Sequence, residues 1–236
     1  MAIQTVFERH ELKFVITEEQ QEKLLSLFGN KLKGDEYGKS LIRNVYFDTP
    51  SYLLIRNSLD KPTYKEKIRL RGYGKMSENS IAFLEVKKKY KGVVYKRRIK
   101  LAEKDAMAYM LKGEKLPDSQ ISREIDYFVS YYENLAPRVA LFYEREAYYS
   151  KDYDTLRITF DKNIQYRFDD LSLLSDAKGT KILDDGQVLM EVKTSYSLPL
   201  WLTSFLSENK IYKRSFSKYG YAYMKEILNV KEIQHV

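Results

Sequence analysis

The chain has 236 residues, 41 of them lysine or arginine and 33 aspartate or glutamate, for a net charge of +8. That surplus favours a polyanionic partner, whether nucleic acid, phosphate esters or an anionic surface. The absence of cysteine excludes disulfides and thiol chemistry. No apolar run approaches the length of a membrane span and the opening MAIQTVFERHELKF lacks the apolar core of a secretion signal, so a cytoplasmic protein without a span of its own is expected.

No Gly/Ser linker, low-complexity tract or solenoid-length repeat divides the sequence. A single domain over residues 1–236 is expected, rich in strand because of its 21 tyrosines and 11 phenylalanines. Phe7–Ile16 reads as the first strand, with Leu12, Phe14 and Ile16 on one face and Arg9, Glu11 and Lys13 on the other. Thr17 then caps a helix that carries Glu18 and Glu19 in its first turn and stops near Phe28, before Gly29 and Asn30. Leu41–Asp48 is a second strand ended by Thr49-Pro50, followed by a short helical turn or irregular link at Tyr52–Arg56. Lys65–Arg71, reading KEKIRLR, puts Lys65, Lys67, Arg69 and Arg71 on one face and Glu66, Ile68 and Leu70 on the other. Ile81–Lys89 and Val93–Leu101 form a hairpin about Tyr90-Lys91-Gly92.

Two helices come next, Glu103–Leu111 and Ser122–Leu135, whose methionine and aromatic stripes read as packing surface. Three further strands follow at Arg138–Tyr149, Leu156–Asp161 and Val188–Thr194. Between the last two lies a loop whose Asp169, Asp170, Asp184 and Asp185 read as solvated turn residues. Helices at Leu200–Glu208 and Lys218–Leu228 complete the chain, and the tail after Asn229 is expected to fray. His10 and His235 are given no role.

Taken alone, Lys65–Arg71 is an ordinary edge strand with its cations in water. Its pattern recurs, however, in Arg9, Glu11 and Lys13; in Glu85 and Lys87; in Lys96 and Arg98; in Arg145; in Arg157 and Asp161; and in Glu191 and Lys193. Most of these strands have an apolar face opposite, which four or five amphipathic helices could cover. The arrangement that satisfies all of them is an α+β fold: a closed antiparallel barrel of about eight strands, apolar outward under helices and charged inward around a wet tunnel. Burying cations without partners costs several kcal/mol each, so a lumen with more cations than carboxylates makes sense if it holds a polyanion. Arginine offers bidentate contacts to phosphate oxygens and lysine a point charge, each contact contributing about 1.5–3 kcal/mol. The few carboxylates, Glu191 above all, suit Mg²⁺ or Mn²⁺, which take one or two carboxylates plus phosphate oxygens.

The ordered motifs RHELKF at Arg9–Phe14, YFDT at Tyr46–Thr49, KIRLRGYG at Lys67–Gly74 and FLEVKKK at Phe83–Lys89 resemble the VTC domain. So do YEREAY at Tyr143–Tyr148, LRITFD at Leu156–Asp161, LMEVKTS at Leu189–Ser195 and SFSKYGYA at Ser215–Ala222. The VTC domain is the vacuolar transporter chaperone catalytic domain, a branch of the CYTH-like or triphosphate tunnel metalloenzyme superfamily. The resemblance implies a polyphosphate polymerase that transfers the γ-phosphoryl group of ATP to a growing inorganic polyphosphate chain, with Mn²⁺ or Mg²⁺. By matched position it implies phosphate binding by Lys13, Arg69, Arg71, Lys87, Lys96, Arg145, Arg157, Lys193 and Lys218, with Arg56 a weaker match. Tyr143 would donate a hydrogen bond to phosphate and Glu191 would bind the metal. The catalytic set would be Arg69, Arg71, Lys87, Arg145, Arg157, Lys193 and Glu191. Glu11, Glu85 and Asp161 would be helpers, or partners that hold the cations in place.

One departure bears on the reaction. The wider superfamily often begins with Glu-x-Glu-x-Lys, and Arg9 stands here in place of the first glutamate, which leans toward the polymerase branch. The alternatives are a metal-dependent triphosphatase or polyphosphatase of the same fold, and a non-catalytic polyphosphate- or nucleotide-binding module. A nucleic-acid binder is disfavoured because no zinc motif, helix-turn-helix signal or RNP-like strand is present. Eukaryotic relatives carry a regulatory domain and membrane helices; neither is read in this sequence, which leaves room for a separate membrane protein partner.

Overall fold

A computed structural model of the chain describes residues 10–91 and 93–230. Phe7 and Arg9 of the first expected strand, the turn residue Gly92 and His235 lie outside the described residues. The strands are β1 (His10–Thr17), β2 (Leu32–Asp48), β3 (Tyr64–Tyr73), β4 (Ile81–Tyr90), β5 (Val93–Ala102), β6 (Ala136–Ser150), β7 (Arg157–Arg167), β8 (Thr180–Lys181) and β9 (Gln187–Thr194). The helices are α1 (Glu18–Phe28), α2 (Leu53–Leu59), α3 (Glu103–Lys112), α4 (Gln120–Tyr131), α5 (Leu200–Glu208) and α6 (Lys218–Glu226). Local chemistry sets their ends. Thr17 and Gln20 form a reciprocal capping box on α1. Ser119 caps α4, so that helix begins before Ser122 and stops short of Leu135. Asp48 accepts from the amides of Leu54 (2.9 Å) and Ile55 (3.0 Å) and so starts α2.

All nine strands form one antiparallel sheet in the order β1-β9-β7-β6-β2-β3-β4-β5, with β8 paired to β7. The register carries the charged parity of each strand across to the next. Lys67 faces Lys87 and Lys87 faces Lys96; Arg69 faces Glu85; Arg145 faces Asp161; Arg157 faces Lys193; Lys13 faces Glu191. The opposite face is apolar and buried under helices. α3 and α4 cover β3, β4 and β5 through Ile68, Leu70, Leu84 and Val86 against Ala106, Met110, Ile125 and Phe128. α1 and α5 cover β1, β7 and β9 through Phe14, Ile16, Ile158 and Met190 against Leu24, Leu202 and Phe205.

Three features differ from the sequence expectation. The sheet is open: among the described residues β1 and β5 are its two edges and share no ladder, so the closed barrel is not formed. The free edge of β1 is occupied instead by the segment ahead of α6, whose Arg214 amide donates to the Lys13 carbonyl at 2.8 Å. α6 itself lies on the charged side of the sheet rather than the outer one. Its Tyr219, Ala222 and Tyr223 pack with Ile55 of α2 on an apolar extension of the concave face formed by Ile42, Leu141, Tyr143, Ile164 and Leu189. The Tyr219 hydroxyl donates to Asp48 at 2.9 Å and ties α6 to α2. β2 is also longer than expected, because an irregularity between Gly34 and Lys39, where Gly38 takes φ +54°, separates two paired stretches.

Candidate functional site

The concave face of the sheet, α6 and the segment before it enclose a cavity of about 2510 Å³. Its cations are organised by carboxylates on the same strands. Glu85 on β4, with 1% of its side chain exposed, accepts from Arg69 through Nε at 2.9 Å and lies 2.8 Å from Arg69 Nη2. The same carboxylate lies 3.8 Å from Arg71, 2.6 Å from Lys96 and 3.2 Å from Arg98. Arg69 also donates to the Tyr46 hydroxyl at 2.9 Å, and Arg71 donates to the Asn44 side-chain oxygen at 3.2 Å.

A second hub forms where β1, β6, β7, β9 and α6 meet. Asp161, with no exposed side-chain surface, receives a two-pronged contact from Arg145 at 2.5 and 2.6 Å and lies 2.6 Å from Lys218. Glu191 lies 3.3 Å from Arg145, 3.2 Å from Lys218 and 3.8 Å from each of Lys13 and Lys193. Tyr143 is buried against this hub, its ring 5.1 Å from the Arg145 guanidinium and 4.6 Å from the Lys218 ammonium. Glu11 links the two hubs across the open side of the sheet, 3.4 Å from Lys13 and 3.4 Å from Lys87.

Ten of the eleven expected phosphate-site cations and polar groups therefore lie on one continuous surface: Lys13, Arg69, Arg71, Lys87, Lys96, Tyr143, Arg145, Arg157, Lys193 and Lys218. Arg157 stands toward the rim, paired with Asp35 at 3.2 Å and stacked 4.9 Å from the Tyr149 ring. Arg56 also lines the cavity, as an exposed rim residue whose guanidinium donates to the Ser51 carbonyl at 3.4 Å. Arg98, Asn44, Tyr46, Asp35 and Ser217 also line or support the cavity and were not among the expected site residues. Arg98 shares the parity of Lys96 and was readable on that ground; the others reach the site through register and loop geometry that no local pattern encodes.

These contacts set the protonation states. Burial works to raise the Glu11 carboxyl, but Lys87 and Lys13 outweigh it and hold the group at about 2. Burial likewise opposes ionisation of Glu85, and Arg69, Arg71 and Lys96 pull its pKa far below the ordinary carboxylate value. Asp161 and Glu191 are lowered in the same sense against their burial, both chiefly by Lys218. Among the cations, burial lowers Lys96 and Lys193 to about 8 although Glu85 and Glu191 respectively work against it. Lys218 is also desolvated, but Asp161 and Glu191 carry its pKa upward.

Among the described residues no group of three or more acidic or imidazole side chains comes together to cage a metal ion. Both Glu191 oxygens already face ammonium or guanidinium groups. That donor set fits a hard divalent cation only in one way: an ion that arrives with phosphate oxygens and takes Glu191 as its protein ligand.

A family model of the VTC domain matches residues 8–226. The chain belongs to the VTC domain family. Its fold is similar to that of a candidate adenylate cyclase from Bacillus halodurans, over 97% of this chain and 100% of that one, with a TM-score of 0.55 and 14% identity. It is similar also to a candidate adenylate cyclase from Vibrio parahaemolyticus, over 94% and 98% of the two chains, with a TM-score of 0.50 and 12% identity. At those identities the likeness speaks for the fold alone. No curated protein matches the chain in sequence. Among the described residues of this VTC domain, no helix is long and apolar enough to cross a membrane.

The carboxylate hubs make a sharp prediction about acid stability. Below about pH 4.5 the unfolded chain binds protons that folded Glu11, Glu85, Asp161 and Glu191 do not, so stability falls with pH there. The melting temperature should hold down to about pH 5 and fall steeply toward pH 2. Glu85→Gln should flatten that fall and, by stranding buried cations, lower stability at pH 7 by roughly 3 kcal/mol in urea titrations. A variant profile parallel to the wild type and undisplaced from it would contradict the hub assignment.

Proposed function

We propose that this protein is a polyphosphate polymerase, transferring the γ-phosphoryl group of ATP to the end of an inorganic polyphosphate chain. The observation that carries the reading is the single surface of cations, from Lys13 on β1 to Lys96 on β5, in a chain of the VTC domain family. Most of these cations are aimed by carboxylates on the same sheet rather than dispersed in solvent. Such a surface binds a linear polyanion along its length and does so without choosing one phosphate.

The chemistry asks little of the protein beyond charge and alignment. A terminal polyphosphate oxygen, already anionic, forms a bond to the γ-phosphorus. The bond from that phosphorus to the β–γ bridging oxygen breaks, and ADP leaves with the electron pair. No strong base is required. Arg69, Arg71 and Arg145 bring planar donors whose orientation is fixed by Glu85 and Asp161, so little reorganisation is needed as charge moves onto the bridging oxygen. Lys87, Lys193 and Lys218 neutralise the phosphoryl oxygens, and Lys13 and Lys96 extend the surface for the chain on either side. Glu191 would hold Mn²⁺ or Mg²⁺, which would supply further charge neutralisation to the triphosphate.

Purified protein incubated with ATP and Mn²⁺ should release ADP and yield a ladder of phosphate chains on a gel. Free phosphate without chains would instead assign the hydrolase reaction, and binding of triphosphate without turnover would assign a binding module. Glu191→Gln should abolish the metal-dependent turnover while calorimetry still shows tripolyphosphate binding, because the cations remain; equal turnover by variant and wild type would remove Glu191 from the metal site.

A further inference from the structure

Lys67 sits in the middle of the cationic face yet is unlike Arg69 and Arg71, which follow it on β3, and Lys87 and Lys96, which share its row. Most strand cations of the site have a carboxylate within 4 Å: Lys13 and Lys87 have Glu11, Arg69, Arg71, Lys96 and Arg98 have Glu85, Arg145 has Asp161, Arg157 has Asp35 and Lys193 has Glu191, while among the described residues Lys65 and Lys89, farther along β3 and β4, have none. Among the described residues Lys67 has none. Its ammonium donates to the Ser217 hydroxyl oxygen at 3.0 Å, the same oxygen that accepts the Gly220 amide and caps α6. The register places Lys67 directly opposite Lys87, which is in turn opposite Lys96, so three lysines form one row across β3, β4 and β5. Like charges directly opposite one another oppose folding. Glu11 and Glu85 relieve the other two members of the row, and among the described residues no carboxylate relieves Lys67.

We propose that Lys67 is a direct ligand of the phosphate chain and that it takes up its proton together with that ligand. The proposal rests on the phosphate-binding reading above and adds to it a residue and a coupling. The groups that face Lys67 are Lys13 from β1, Lys65 and Arg69 from β3, Lys87 from β4 and the Ser217 hydroxyl ahead of α6. Burial first, and then the repulsion of those four cations, brings the ammonium down to about 7. A phosphate oxygen entering the cavity removes the repulsion and supplies the missing acceptor, so the charged form becomes the stable one. Affinity is then greatest below about pH 7 and declines as pH rises past the value of the empty site, and binding near pH 8 draws a proton from solvent.

Calorimetric titration of the full chain with inorganic tripolyphosphate at pH 8, in two buffers of different ionisation enthalpy, counts those protons. Lys96 and Lys193 titrate in the same range, so the difference between variant and wild type is the quantity to read. Lys67→Met should take up close to one proton fewer and bind about tenfold more weakly, while its ligand-free melting temperature at pH 6 matches or exceeds that of the wild type because a repelled buried charge is gone. Lys67→Arg, charged at every accessible pH, should restore affinity but not the proton. Wild-type proton counts in both variants would overturn the proposal while leaving phosphate binding intact. Failure of the wild-type protein to bind tripolyphosphate would overturn the phosphate-binding reading and this proposal with it.

Discussion

The structure depends on a few buried carboxylates that hold together far more positive charge than they cancel. Glu85 alone faces four cations, and Asp161 and Glu191 share four more. A buried ion pair by itself is weak support for a fold, because desolvation offsets most of the attraction. Here the carboxylates serve chiefly to orient. They fix guanidinium planes and ammonium positions along strands whose other face is apolar, and they leave a net positive surface.

The edges of the open sheet bear on the same cations. A closed barrel would give the edge of β1 to β5, and the cationic row on β5 would then have to pack beside Lys13 and the Glu11 link. Instead the segment ahead of α6 takes the β1 edge and delivers Lys218 to the carboxylates of β7 and β9, while the side chains of Lys87 and Glu11 span the gap. Among the described residues β5 keeps an unpaired edge, dense in lysine and arginine, which is a common way for an edge strand to resist pairing with another chain. One end of the concave face is closed by the apolar packing of α6 and α2, joined through Tyr219 and Asp48.

Side-chain alternation made the faces legible from the sequence. Arg69, Arg71, Lys87, Arg145 and Glu191 could be placed on one inner surface because a strand gives each residue only two directions. The core helices were legible for a similar reason, their apolar stripes having only one place to go. Closure was not legible, since parity says which face a residue occupies and nothing about whether the first and last strands meet. Nor was the side of the sheet taken by α6, because Tyr219 and Tyr223 would suit either apolar surface. The early half of β2 was hidden because Gly34 and Gly38 interrupt its side-chain alternation. Lys67 looked equivalent to Arg69 and Arg71; what sets it apart is the absence of a carboxylate among the described residues opposite it, a property of register alone.

The central claim is that this surface is built to be completed by a linear phosphate polyanion. The most direct measurement is the melting temperature of the purified protein with saturating tripolyphosphate, against sodium chloride at equal ionic strength. At a hundredfold excess over Kd, binding linkage supplies about 2.7 kcal/mol, and a chain of this size gains about 2–4 °C per kcal/mol, so a rise of roughly 5–10 °C is predicted with tripolyphosphate and little with chloride. Equal shifts in the two salts would mean that the cations are only screened, and the account would be wrong at its base.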